Sequence, residues 1–361
     1  MVDMYRRVHP SKCFQGQGLK MKHRLGKAKI LTEKRQLDAV RQWWDNHPMD
    51  YQGYNRKELE TDDDYRAFFQ RVDASWWNST KQINSFNPCH LGDRLLDQSN
   101  VSGRRVLEIG CGMGTWTQTF AEWGCDVTAI DLTPYAVEMT RKRLELEGLK
   151  ARVLEMDAGD MQVSSEEFDF IWSWGVIHHS PHTERVVREI VRVLKPGGEF
   201  GIMVYYKYSI HSMYVFLRFG LIHGEIFRYG WQDLQSRYSE GEEYGGPPLA
   251  RSWSKRGLKR LLAPLVVERV SFHSDPEVAL LLLPSRFGIG GLAQRIVPLR
   301  IKKLITARWG HCIFAYGHKD LKPSCRGSTE LECFCHPSVL GHRSKIEVEV
   351  GQHGTPGCCG E

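Results

Sequence analysis

Three alternate glycines behind an apolar run are the first residues in this chain whose spacing could do chemistry. In Val106-Leu-Glu-Ile-Gly-Cys-Gly-Met-Gly-Thr115 the run ends near Glu108, and Gly110, Cys111, Gly112 and Gly114 lead into a helix. Glycines so spaced let the backbone turn sharply and approach a ligand with no side chain in the way, while helix-start N–H groups point at it. A dinucleotide loop requires glycine at position 115, where Thr115 stands. The pattern is instead acidic-x-G-x-G-x-G. Glu108, two residues before the first glycine, is placed to accept a hydrogen bond from a cationic amino group. That favours a ligand with an α-amino acid end over one with a pyrophosphate.

Further candidates follow in order, each at the end of an apolar run. Asp126-Val-Thr-Ala-Ile-Asp131 closes on a carboxylate 21 residues after Gly110, with Leu132 next. A lone acid at the tip of a second strand suits paired hydrogen bonds to two ribose hydroxyls. Met156-Asp157-Ala158 is placed to meet an adenine edge, and Ser173-Trp174-Gly175 to present side chain and backbone to the same ligand. Each signal alone is weak. Their order is specific.

The elements that must position them are short apolar runs alternating with amphipathic stretches: Val106–Ile109, Thr115–Trp123, Val127–Ile130, Tyr135–Glu147, Val153–Met156, Phe168–Trp172, Glu184–Leu194 and Phe200–Tyr205. This alternation predicts parallel strands joined by crossover helices. Lys195-Pro196-Gly197-Gly198 is expected to close the helix before the fifth strand. Residues 36–100 read as a helical N-terminal cap carrying the aromatic pairs Trp43-Trp44, Phe68-Phe69 and Trp76-Trp77. Residues 207–265 are an aromatic insertion expected to form the acceptor pocket, and Leu265–Phe272 and His311–Tyr316 are late strands. Beyond residue 320 periodicity fades, and a disordered tail is expected.

Charge is localised. Of the 361 residues, the first 35 hold ten Lys or Arg against Asp3 and Glu33, a net of +8, whereas the rest carry a net of −2. The reading for 1–35 is a solvated basic arm, and the nearly neutral body argues against nucleic acid as partner. The apolar stretches Phe200–Ile222 and Val278–Ala293 are interrupted by charge or proline, so no membrane span is expected. No secretory leader is read, which predicts a cytoplasmic protein. Cys333-Phe-Cys335-His336 and Cys358-Cys359 lack the two-residue spacers of zinc sites, so no metal is expected.

The segments VLEIGCGMG (106–114), VTAIDLTPYAVEMTRKR (127–143), EMDAGDM (155–161), FDFIWSWGVIHHSP (168–181) and REIVRVLKPGGEFGIMVYY (188–206) resemble class I S-adenosylmethionine-dependent methyltransferases, in particular the small-molecule branch. The resemblance implies an α/β, Rossmann-like, doubly wound sheet of seven strands with the last antiparallel, over residues 101–320. It implies S-adenosyl-L-methionine as cofactor. Glu108, Gly110, Cys111, Gly112 and Gly114 would line its methionine end, Asp131 and Leu132 the ribose, Asp157 and Ala158 the adenine, and Ser173 or Trp174 the adjoining wall.

Transfer of a methyl group from a sulfonium needs in-line alignment and a dry site, and a base only where the acceptor must lose a proton. Tyr205 and Tyr206 at the end of the fifth strand, and His178 just past the fourth, are the candidate catalytic residues. His179 beside it shares the candidate base role, and His47, Tyr51, Tyr54 and His211 are further groups that could close over the site. Each also has a packing role open to it. The expected partner is a small, ring-containing or apolar acceptor methylated on oxygen or nitrogen. RNA or protein acceptors, and a non-catalytic scaffold on the same fold, remain alternatives. Ser173-Trp174-Gly175-Val176 stands where base-amine methylating enzymes resemble one another in Asp/Asn-Pro-Pro-aromatic, which disfavours a base as acceptor.

Overall fold

Each apolar run between Arg105 and Tyr206 is a strand in the computed structural model, which describes residues 33–48, 59–82, 86–87, 90–91, 101–239, 246–274, 276–282 and 295–321. The basic residues before 33, Tyr51, Tyr54 and the cysteines from Cys325 onward lie outside the described residues. Two helices come first, α1 (Glu33–Asn46) and α2 (Asp62–Gln82), so helix already begins inside the stretch read as an arm. Then alternate β1 (Arg105–Ile109), α3 (Thr115–Glu122), β2 (Asp126–Asp131), α4 (Pro134–Leu146), β3 (Arg152–Glu155), β4 (Phe168–Trp174), α5 (Thr183–Val193) and β5 (Leu194–Tyr206).

The insertion holds α6 (Ile210–Val215), a π-helical stretch Phe216–Ile222, a 3-10 turn Glu225–Phe227, α7 (Trp231–Tyr238) and the two-residue strand β6 (Ser252–Trp253). The chain ends its described part with α8 (Lys255–Leu261), β7 (Val266–His273), a 3-10 turn Pro276–Leu280, α9 (Leu299–Trp309) and β8 (Cys312–His318).

The sheet order is β3-β2-β1-β4-β5-β8-β7, with β6 pairing the end of β5. Strands β1 to β5 are parallel, and β8 runs antiparallel to both of its neighbours. This is the expected sheet with one short strand added. Both faces are covered, which is why the strands read as continuous apolar runs. Leu107, Ile109, Ile171, Phe200 and Ile202 pack on one face with Val186, Val187 and Ile190 of α5. Val106, Phe170, Trp172 and Phe314 pack on the other with Trp116 and Phe120 of α3. Neighbours in sequence thus point to opposite faces, as a pleated strand requires.

Lys195-Pro196-Gly197-Gly198 is not the helix-closing turn expected of it, since α5 already ends at Val193. Strand pairing already begins at Leu194, opposite Phe168, and resumes with Glu199 opposite Phe170, so the turn bulges out of β5. Gly197 takes φ +74°, its N–H donates to the Lys319 carbonyl, and Lys319 N–H returns to Gly198, tying the bulge to the end of β8.

Ahead of the sheet, Thr61 caps α2, its N–H donating to Asp64 at 2.9 Å and its hydroxyl accepting from the Asp64 N–H at 3.3 Å. Phe68, Phe69 and Val72 then bury against Met113, Ala136 and Met139. Among the described residues no helix is long and apolar enough to cross a membrane.

Candidate functional site

A cavity of about 230 Å³ opens at the carboxyl ends of β1, β2 and β4, beneath α1. That is where open α/β sheets hold ligands. Strand β1 delivers Glu108 there, fully buried, with the Thr117 hydroxyl of α3 donating to its carboxyl. Burial pushes this carboxyl up to about 8, against the Thr117 hydrogen bond, which lowers it, with the nearby Asp131 carboxylate raising it further. In the protein alone Glu108 therefore holds its proton near neutrality.

The glycine loop is fastened from behind. Gly110 and Cys111 donate their N–H groups to the Ile130 carbonyl at 2.7 and 3.1 Å. The buried Arg143 guanidinium donates to the Met113 carbonyl at 3.1 Å and to Asp73 of α2 at 2.5 Å, and Thr115 also donates to Asp73. Gly110 has φ +82°, and a Cβ there would stand 2.1 Å from Val176 Cγ2. Gly112 has φ +52°, and a Cβ there would meet nothing within 4 Å, because this face of the loop looks onto the cavity.

Asp131 closes β2 and is held by three donors. Its Oδ2 accepts from Gly112 N–H at 3.1 Å, and its Oδ1 accepts from the N–H and hydroxyl of Thr133 at 2.9 Å. Burial shifts this carboxyl upward, offset by those hydrogen bonds. Asp157 accepts from Gly159 N–H at 2.9 Å on Oδ1, while Oδ2 lies 3.1 Å from His182 Nε2.

Glu108, Gly110, Cys111, Gly112, Asp131, Leu132, Asp157, Ala158, Trp174 and Tyr205 all line this one cavity. Gly114, Ser173, Tyr206 and His178 are not among the described lining residues. Gly114 caps α3 with φ +78° against Thr140, and Ser173 is wholly buried in β4. Tyr206 packs on Phe272, and burial raises its hydroxyl above the usual range.

His178 is also fully buried, its ring 4.1 Å from both His179 and Tyr205. His179 reaches the cavity, its Nδ1 2.7 Å from the Leu249 carbonyl, and burial lowers this imidazole to about 4. Behind Tyr205 the ring of His311 lies tilted at 4.4 Å, and His211 meets His311 edge-on at 4.4 Å.

The helical cap was legible in advance, but not which of its residues face the cavity. Leu37, Val40 and Trp44 form a stripe along α1 at spacings of three and four residues, and with Pro48 and Val72 they line the cavity. The Trp44 ring meets His179 edge-on at 4.8 Å. Arg41 pairs with Glu155, and Glu33 with Arg185, so α1 is tied to β3 and α5. The signal that could have found Trp44 is its place in an aromatic pair on an otherwise charged helix. His47, at the end of α1, stacks on Trp43 and is not among the described lining residues.

The insertion behaves differently from expectation. Among the described residues, none from 207–265 lines the cavity. Its rings bury one another instead: Val215, Phe219 and Leu234 with Tyr214, Trp231 and Tyr238, the last stacked on Phe219 at 3.8 Å.

Residues 106–198 match the family model described as a methyltransferase domain. The chain is 26% identical over 145 residues to a ubiquinone biosynthesis O-methyltransferase of Coxiella burnetii, covering 39% of this chain and 62% of the relative. A protein of the same description from Xanthomonas oryzae is 33% identical over 143 residues, covering 36% of this chain and 56% of the relative. The chain thus spans somewhat under two thirds of the length of these curated relatives. A solved S-adenosylmethionine-dependent methyltransferase from Methanosarcina mazei covers 61% of this chain and 94% of its own, at 18% identity and a TM-score of 0.43.

Proposed function

We propose that residues 106–198, which match the methyltransferase-domain model, form a class I S-adenosylmethionine-dependent methyltransferase domain, and that the protein transfers a methyl group to a small acceptor. The observation that carries the reading is the convergence of Glu108, Asp131 and the open face of Gly112 on one cavity. These residues fit the cofactor: a buried carboxyl for its ammonium group, a pre-oriented carboxylate for its ribose hydroxyls, and a glycine whose missing Cβ leaves the ligand room. S-adenosyl-L-methionine would supply an activated methyl group on a sulfonium.

The chain's own part is binding, alignment and exclusion of water. Gly112 and Thr133 hold the Asp131 carboxylate in place before any ligand arrives. Leu37, Val40, Trp44 and Trp174 give the remaining space apolar and aromatic walls, which suits a ring-bearing acceptor better than a charged one. Tyr205 and His179 are the polar groups facing that space from β5 and from the turn after β4. The neutral imidazole of His179, lowered to about 4, is a weak base but can accept a hydrogen bond from an acceptor hydroxyl, which suits oxygen as the methylated atom. The relatives' description as O-methyltransferases agrees with that choice. Cys111 and Cys125, buried as thiols, suit a cytoplasmic setting.

Calorimetric titration with S-adenosylmethionine and S-adenosylhomocysteine, with NAD as control, tests the cofactor. Mass spectrometry of a panel of phenols and amines incubated with enzyme and S-adenosylmethionine then tests the acceptor. Micromolar binding of the first two ligands and a 14 Da gain (about one CH₂ unit of net mass) on a phenol would support the reading. A folded protein that binds neither would overturn it.

A further inference from the structure

Helix α9 is built inside out. Its buried positions are Lys302 and Thr306, 4% and 0% exposed, whereas Leu304 is 73% exposed and Leu299, Ile301 and Trp309 also face outward. A helix lying on a soluble protein normally buries its apolar stripe and shows its polar one. The stretch from Arg295 to Trp309 holds five Lys or Arg and no Asp or Glu.

A second surface of the same kind lies in the insertion. Ile222 is 78% and Phe227 88% exposed, with Leu217 and Leu221 beside them. Arg218 and Arg228 flank these residues. Between Lys207 and Gln232 the only acidic residue is Glu225, and its carboxylate accepts from the Tyr238 hydroxyl at 2.9 Å. The two are linked through one turn: α6, which leads directly into this segment, packs on Pro276–Leu280, and α9 packs on that same turn.

Exposed large apolar side chains set singly on a surface need no explanation, but a grouping of them does. From this grouping we infer that α9 and the Phe216–Phe227 segment seat the protein on the surface of an anionic lipid bilayer, without spanning it. Apolar side chains enter the headgroup boundary while the interspersed Arg and Lys meet lipid phosphates, the arrangement that interfacial helices use. The charge chooses this occupant over a second copy of the chain. A symmetric pairing would set Arg300, Lys303 and Arg308 of one α9 against the same three of another with no acid between them. The rest of the chain after residue 35 carries a slight negative balance, so the positive charge here is local.

Co-sedimentation of the full chain with vesicles tests this, using phosphatidylcholine alone and phosphatidylcholine mixed with phosphatidylglycerol. The wild type should pellet with the anionic vesicles, much less with the neutral ones, and less in high salt. Ile301→Ser with Leu304→Ser, and separately Ile222→Ser with Phe227→Ser, should each lower the bound fraction severalfold. Unchanged circular dichroism and thermal unfolding would show that these exposed substitutions leave the fold intact.

Three outcomes would overturn the inference. One is no pelleting with either vesicle. Another is pelleting that survives both pairs of substitutions, which would move the attachment elsewhere, for instance to the basic residues before 36. The third is a concentration-dependent dimer in analytical ultracentrifugation that the same substitutions abolish, which would give the surface to a second copy.

Discussion

His182 and Asp157 are joined side by side at the edge of the cavity, Nε2 to Oδ2 at 3.1 Å, and the far nitrogen of the same ring faces Glu33 of α1 at 3.9 Å. One imidazole therefore touches both the acid assigned to the adenine and the helix that roofs the site. Glu33 also lies 3.5 Å from Arg185, so the roof is held here by two basic side chains.

His182→Ala should weaken S-adenosylhomocysteine binding by about threefold to tenfold, roughly 0.7–1.4 kcal/mol, because Asp157 loses the donor that orients it. His182→Gln, which keeps a donor, should recover part of the loss. Calorimetric titration of the two variants checks this, and equal affinity for wild type and His182→Ala would sink the orienting role.

The two loop glycines should separate stability from binding. Gly110→Ala combines a left-handed backbone with a methyl 2.1 Å from Val176, and should cost about 2–4 kcal/mol in a denaturant melt. Gly112→Ala meets open space and should cost only about 1–2 kcal/mol, the left-handed penalty alone. Its methyl occupies ligand volume, however, so affinity for the adenosyl ligands should fall by about tenfold or more, and further in Gly112→Val. A Gly112→Ala protein that binds normally would refute the loop assignment.

Glu108 makes cofactor binding a proton-releasing event. Its carboxyl is held protonated up to about pH 8, whereas pairing with an incoming ammonium requires the ionised form. Affinity should rise with pH and level off near 8. Calorimetry in two buffers of different ionisation enthalpy should show release approaching one proton on the acid side of that value. Glu108→Gln should bind more weakly and release none. In the ligand-free protein the sign is opposite for stability. A carboxyl raised above its unfolded value of 4.5 stabilises the fold at low pH, and that contribution is lost as pH climbs through 8.

Four buried imidazoles set an acid limit. Burial lowers His179 and His211 to about 4 and drives His178 and His311 down as well, with neighbouring imidazoles adding to the effect at His178 and His311. The unfolded chain takes up these protons near 6.5 while the folded one does not. Stability should therefore be full above that value and fall as pH drops from 6.5 through 4. Thermal midpoints measured across this range check the slope, and His211→Phe should flatten it.

What could be read in advance followed from burial on two faces. Strands β1, β2, β4 and β5 lie between helical layers, so their sequences are nearly continuous apolar runs, and the cavity residues sit where those runs stop. Gly110, Gly112 and Asp131 are legible because backbone geometry and a lone carboxylate leave few alternatives at those positions. A helical cap was legible, but its contacts were hidden because its partners are remote: Arg41 meets Glu155 across 114 residues, and no local pattern encodes such a meeting. The stripe Leu37, Val40, Trp44 announces that α1 has an apolar side but not what it faces. Helix α9 defied patterning altogether, because the rule that apolar residues turn inward presumes water outside.

The antiparallel strand has a consequence for biogenesis. Strand β8 enters between β5 and β7 with seven residue pairs on each side, yet it is made more than a hundred residues after β5 leaves the ribosome. Until Cys312–His318 emerges, the inner edge of β5 offers unpaired N–H and C=O groups above apolar residues such as Ile202 and Val204. Nascent chains halted anywhere in that interval carry an open, sticky seam, and chaperone occupancy should be greatest there.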